Sequence, residues 1–136
     1  MILLDTNILS ELQKPRPETN VERWFASTPA RDIRLCGPVV MEQVYGAELF
    51  AMRTGSDRYR LALLRTLRAF SDRVLAFDGA APEIAGRLRA SRDRTGRPIS
   101  IGDAMIAAIC LVHDATLATR NVRDFDGLAV ALVNPF

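Results

Sequence analysis

The sequence predicts an α/β fold with a mostly parallel sheet, and three observations carry that prediction. Short apolar runs at residues 1–4, Ile33–Cys36 and 115–119 have the length and composition of buried strands. Longer stretches between them place apolar residues at helical spacing, as Leu63, Leu64, Leu67 and Phe70 do. The two patterns alternate along the chain, the order that lays helices against parallel strands.

In chain order, residues 1–4 form the first strand and run directly into Asp5. Thr6 or Asn7 can cap a helix to about residue 13, which Pro15 and Pro17 end. Residues 18–27 form a second helix with Val21, Trp24 and Phe25 on one face. After the second strand, Gly37-Pro38 breaks the chain, and proline suits the first turn of a helix running to about residue 53. Its apolar stripe is Val40, Val44, Ala47 and Ala51. Thr54-Gly55-Ser56 is a turn and residues 57–70 a fourth helix. Residues 73–77 read as the third strand, followed by a helix presenting Ala81, Ile84, Ala85 and Leu88 until Gly96-Arg97-Pro98 stops it. Residues 102–113 form an intensely apolar helix, and residues 115–119 and 130–133 complete a sheet of four to five strands.

At 136 residues, 49% hydrophobic and 25% charged, the chain has the size and balance of a single soluble domain with one core. The opening apolar run stops at Asp5, too early for a signal segment. The longest apolar run, Ala104 to Val112, is far short of the ~20 residues of a membrane span. A cytoplasmic protein without a membrane partner is expected. Cys36 and Cys110 lie in apolar segments and read as buried free thiols; with His113 the only histidine, their spacing makes no zinc site. The net charge is a modest +2, and Lys14 is the one lysine among 18 cations. Arginine's planar fork suits phosphate oxygens.

The informative residues are acids that interrupt apolar patterns. Asp5 ends a buried strand, so it points to the carboxyl edge of the sheet, where ligands bind in open parallel sheets. Asp103 opens a helix whose next nine residues are uncharged, a setting in which an ionised carboxylate needs a partner or a metal. Glu42 lies opposite its helix's apolar stripe, in company with Tyr45 and Leu49, which suggests apolar surroundings. Each has an ordinary structural explanation as well: a helix cap for Asp5, a first-turn acid favoured by the helix dipole for Asp103, a solvated helix residue for Glu42. Convergence of the three would favour function, because clustered carboxylates repel and call for a cation. Oxygen donors alone select a hard ion, magnesium or manganese. Thr119-Arg120-Asn121-Val122-Arg123-Asp124-Phe125 follows a strand and reaches the same edge; Asn121 and Asp124 can add an amide and a carboxylate there. Arg87, Arg89, Arg92, Arg94 and Arg97 lead toward Asp103 and form either a solvated face or a track for RNA phosphates.

Four regions in this order resemble the PIN-domain family, and within it the VapC and FitB type toxins. They are Met1-Ile2-Leu3-Leu4-Asp5-Thr6-Asn7-Ile8-Leu9-Ser10-Glu11, Val40-Met41-Glu42-Gln43-Val44-Tyr45-Gly46-Ala47, Gly102-Asp103-Ala104-Met105-Ile106-Ala107-Ala108, and Leu117 to Phe125. The ending Val133-Asn134-Pro135-Phe136 fits too, so the resemblance spans essentially the whole chain. It implies a three-layer α/β/α sandwich and a metal-dependent endoribonuclease binding magnesium or manganese. Asp5, Glu42 and Asp103 match the metal-site acids; Asn121 and Asp124 complete the catalytic set, Asn7 and Thr119 support it, and Arg94, Arg97 and Arg120 are the RNA contacts to test. Many relatives carry aspartate where this chain has Asn121, which leaves Asp124 as the alternative fourth acid. The resemblance also implies a cognate antitoxin laid across the active-site groove, an RNA substrate and a homodimer. The face of Val21, Trp24 and Phe25, with Leu9 and Leu12, either docks that antitoxin or fills the core.

Rival readings are a nucleic-acid-binding PIN module without catalysis, a DNA-directed metal nuclease, a response-regulator receiver and a purely structural protein. Against the receiver, only Asp5 follows the first strand, where an acidic pair is required.

Overall fold

The computed structural model covers residues 1–136. Five parallel strands stand in the order β3-β2-β1-β4-β5: β1 (Ile2–Leu4), β2 (Ile33–Cys36), β3 (Val74–Leu75), β4 (Thr116–Ala118) and β5 (Leu132–Val133). Between β1 and β2 lie α1 (Thr6–Leu12) and α2 (Thr19–Ser27); between β2 and β3, α3 (Gly37–Thr54) and α4 (Arg58–Ala69); between β3 and β4, α5 (Ala81–Arg94) and α6 (Ile101–His113).

Successive strand residues point to opposite faces of a sheet. Leu3 and Leu4, Leu35 and Cys36, and Leu117 and Ala118 are all fully inaccessible, so helices cover both faces and the fold has three layers. Small side chains let α6 lie close within this core: Ala104, Ala107 and Ala108 are also at 0% exposure. The chain leaves β1 for β2 on one side and later returns to β4 on the other. That reversal opens a crevice at the carboxyl ends of β1 and β4. Leu4 pairs with Ala118, and the Asp5 amide donates to the Ala118 carbonyl at 3.0 Å, so Asp5 and Thr119 leave the sheet side by side.

Three elements differ from the sequence expectation. The third strand is only Val74–Leu75, an edge strand with Val74 40% exposed; it pairs only with the last two residues of β2. Asp5, not Thr6 or Asn7, caps α1. On α3 the buried stripe is Val39, Gln43 and Ala47, one residue round from the apolar stripe expected, and Val44 is 41% exposed. The cause is Gln43, whose amide donates to Ser10 Oγ at 2.8 Å and to the Thr6 carbonyl at 3.3 Å, so a polar side chain is satisfied inside. Tyr45 and Leu49 consequently face solvent and give Glu42 no apolar cover.

Candidate functional site

Asp5 is 4% exposed at the end of β1, and three hydrogen bonds hold its carboxylate in place. Its Oδ1 accepts from the Thr6 amide at 2.8 Å, capping α1. Its Oδ2 accepts from Asn7 Nδ2 at 2.8 Å and from the Thr119 hydroxyl at 2.7 Å. Asn7 Oδ1 in turn accepts from the Arg120 amide at 3.0 Å, and Thr119 Oγ1 from the Asn121 amide at 3.0 Å. Both supporting residues thereby tie the loop after β4 to the end of β1. Burial raises the Asp5 pKa, the hydrogen bonds from Thr119, Thr6 and Asn7 pull it back, and the charge of Glu42 raises it again.

Glu42 reaches the same crevice from α3. The Thr6 hydroxyl donates to its Oε2. Its other oxygen lies against Gly102, where an added Cβ would stand 2.8 Å away. With any other residue at 102 the Glu42 carboxylate would have to give up this position. The next residue is Asp103, whose amide donates at 3.0 Å to the Ser100 hydroxyl capping α6. Burial lifts the Asp103 pKa, the Ser100 hydrogen bond lowers it, and the charges of Asp5, Asp124 and Glu42 lift it further. The charges of three acids from other segments thus bear on Asp103, and that of Glu42 bears on Asp5.

Asp103 and Asp124 share the wall of a cavity of about 510 Å³ with Arg92, Arg97, Ser100 and Arg123. Asp124 sits on a 3-10 turn, Val122–Phe125, anchored by Phe125 at 1% exposure. Arg92 corrects the expectation of a basic track. It is 8% exposed, and its Nη2 donates to the carbonyls of Asp124 at 3.0 Å and Asp126 at 2.7 Å. It braces the Asp124 turn rather than facing solvent. Arg97 does line the cavity, Arg94 is exposed at the end of α5, and Arg120 sits over the Phe136 ring at 4.8 Å. Arg87 is paired with Glu83 at 2.6 Å.

The four acidic segments meet at the crevice between β1 and β4, although no three Asp, Glu, His or Cys side chains stand at a spacing that holds one ion between them. The donor chemistry nonetheless fits a hard cation: the groups offer oxygen only, two are lifted by burial and further by neighbouring acids, and glycine keeps Gly102 clear of Glu42. The thiols are no part of it. Cys36 and Cys110 are buried and pushed up to about 12, so they stay neutral. His113 is exposed in the last turn of α6, at the opposite end from Asp103.

Sequence reasoning passed over Thr6, Ser100, Gly102 and Arg123. Ser100 and Asp103 have the spacing of a helix-capping pair, a signal present in the chain. Gly102 immediately before an acid in an apolar helix was the other signal. Nothing in the sequence separates Arg92 from its solvated neighbours.

A model of the PIN domain matches residues 2–130. The chain belongs to the PIN-domain family. This PIN domain is 33% identical to Toxin FitB of Neisseria gonorrhoeae, covering 100% of this chain and 99% of the relative. It is also 33% identical to VapC ribonuclease Y4jK of Sinorhizobium fredii, covering 100% and 98%. The solved structure of FitAcB from Neisseria gonorrhoeae matches with a TM-score of 0.88 at 32% identity, covering 99% of this chain and 98% of that one. A toxin-antitoxin complex from Klebsiella pneumoniae matches with a TM-score of 0.74 at 25% identity, covering 100% and 98%. Within this PIN domain, the acids marked by the resemblance are those that meet at the crevice.

Proposed function

We propose that this PIN domain is a ribonuclease toxin of the VapC type that hydrolyses RNA phosphodiesters with magnesium or manganese, for which Asp5, Glu42 and Asp103 would be the oxygen donors once their carboxylates close on the ion. The observation that carries the reading is the meeting of Asp5, Glu42 and Asp103 from separate segments, joined through Thr6 and Gly102, at a sheet edge built to receive a ligand, with the Asp5 and Asp103 carboxyls raised chiefly by burial. The names of the full-length relatives, a toxin and a ribonuclease, point the same way. Asp124 takes the fourth acidic place, since its charge acts on Asp103 across their shared cavity.

When bound, such an ion lowers the pKa of a water and stabilises charge on the phosphoryl oxygens. The chain's own residues do the rest. Thr119 and Asn7 fix the Asp5 carboxylate in one orientation, Thr6 orients Glu42, and Ser100 holds the start of α6. Arg97 and Arg123 border the cavity where the RNA backbone arrives.

The partner in this reading is a small antitoxin. An apolar groove of about 570 Å³, bordered by Leu9, Leu12, Phe25 and Phe70, offers it a seat beside α1 and α2. Exposed Met41, Tyr45 and Met52 on α3, with Leu61 and Leu64 on α4, supply a homodimer contact. No helix is long and apolar enough to cross a membrane; an RNA-cutting toxin acts in the cytoplasm, where its substrate is.

The test is digestion of matched single-stranded RNA and DNA by the purified protein after chelation and after manganese is restored. Cleavage of RNA alone, restored by the ion and absent in Asp103→Asn, supports the proposal. RNA binding without cleavage would favour the non-catalytic module, a reading that the amide of Asn121 in place of an acid keeps open.

A further inference from the structure

A second cleft adjoins the acidic crevice from the other side of Glu42. It has a volume of about 370 Å³, and Thr6 and Glu42 belong both to its wall and to the acid cluster. That volume lies at the small end of the range for ligand sites, suited to one nucleotide rather than a folded partner. Lys14 and Arg53 bring two cations to its lining, and Phe50 and Tyr59 bring two aromatic rings. The rings meet edge to face, with centroids 4.7 Å apart. Glu11, buried at 7% exposure, fixes Lys14 Nζ at 2.5 Å, which leaves the ammonium two further donors.

Gly46 lines the cleft and leaves its space open. It lies inside the 18-residue α3, where glycine is less favourable than alanine by about 1 kcal/mol. Its backbone has no left-handed φ to require glycine, and an added Cβ would meet nothing within 4 Å. Neither conformation nor packing requires glycine here, as neither does at Gly86 of α5; what sets Gly46 apart is its place in the wall of the cleft. What a larger side chain would do is fill the cleft.

We infer that this cleft is a subsite for one nucleotide of a single-stranded RNA, neighbouring the phosphate that sits at the acids. The base packs against the Phe50–Tyr59 pair, away from Arg58, whose guanidinium lies 5.4 Å over the Tyr59 ring, and Lys14 and Arg53 hold its phosphate. Stacking on an aromatic ring together with a cation for the backbone is the chemistry by which single strands are gripped. The cavity of Arg97 and Arg123 receives the strand on the far side of the acids, so the path is cationic at both ends and acidic in the middle. The inference rests on the proposed RNA hydrolysis for its geometry, but its test does not require cleavage.

The test is fluorescence anisotropy of a labelled mixed-sequence single-stranded oligoribonucleotide, in chelator, with wild type, Gly46→Leu, Arg53→Gln and Gly86→Leu. Gly86 is an exposed mid-helix glycine of α5 that also meets nothing within 4 Å, so it controls for the change in helix stability. Gly46→Leu is expected to weaken RNA binding about tenfold, the loss of one stacked base, with an unchanged or raised Tm. Arg53→Gln is expected to flatten the salt dependence of log K by about 0.7, one phosphate contact. Gly86→Leu binds as wild type does. An unchanged affinity in Gly46→Leu overturns the subsite even if the wild type cuts RNA, and loss of antitoxin binding instead would give the cleft to the protein partner. A tenfold loss in a protein that cuts nothing keeps the subsite and discards the hydrolysis.

Discussion

The Thr119 hydroxyl donates to Asp5 Oδ2 at 2.7 Å, joining residues 114 positions apart in the chain. The contact is fully buried, and it exists because Leu4 and Ala118 are paired in the sheet, one residue before each partner. The threonine oxygen also accepts from the Asn121 amide, so one hydroxyl sets the acid and starts the loop that carries Asp124.

Thr119→Val keeps the shape and removes the hydroxyl. Asp5 Oδ2 then keeps only Asn7, and the Asn121 amide loses its acceptor. A loss of about 1–3 kcal/mol in unfolding free energy is expected, together with reduced RNA cleavage. Urea titration and a cleavage assay check both, and Thr119→Ser should retain most of each.

Gly102→Ala separates activity from stability. The new methyl would stand 2.8 Å from Glu42 Oε1, so the flexible carboxylate must move. Alanine favours the helix by up to about 1 kcal/mol, so Tm holds or rises. Cleavage is expected to fall about tenfold or more, the order seen when a neighbour that positions a metal ligand is changed.

Arg92→Met removes the brace under the Asp124 turn while filling similar space. Hydrogen bonds to a charged group contribute about 1.5–3 kcal/mol, and a loss of that order is expected by denaturant titration. KM for RNA should rise as the turn loosens. Arg92→Lys should rescue little, because a point ammonium cannot reproduce the planar fork.

The raised pKa values of Asp5 and Asp103 give the metal-free protein an unusual pH response. In that window the folded state binds more protons than the unfolded state, so stability falls as pH rises from the ordinary value of 3.8 through the raised values. Glu11 and Glu48, held low by Lys14 and Arg60, contribute with the opposite sign and lose their share as pH falls. The difference between wild type and Asp103→Asn isolates the site. In chelator at neutral pH the variant should melt higher than wild type, and the gap should close on acidification. A variant that melts lower at neutral pH would show that Asp103 is not destabilised by its surroundings.

Much of this was legible in the chain. The alternation of apolar runs and amphipathic stretches gave the parallel sheet, because a strand covered on both faces must be apolar throughout. Asp5 and Asp103 stood out because each breaks such a run. Glu42 was harder: its surroundings were inferred from Tyr45 and Leu49, which are exposed, whereas its actual neighbours Thr6 and Gly102 come from distant segments. The stripe of α3 was misjudged by one residue because Gln43 is polar and its partners, Ser10 and Thr6, are remote in sequence. Arg92 was hidden for the same reason: its carbonyl acceptors on Asp124 and Asp126 lie more than 30 positions away. Tertiary partners that satisfy a polar group leave no trace in local periodicity.

Asp5, Glu42 and Asp103 are proposed to serve one ion together as a single oxygen site. Isothermal titration of Mn²⁺ into the metal-free protein at neutral pH, repeated with Asp103→Asn, measures this directly. Saturable binding that raises the Tm of the wild type and disappears in the variant is the predicted result. Equal uptake by both proteins, or none by either, would contradict it.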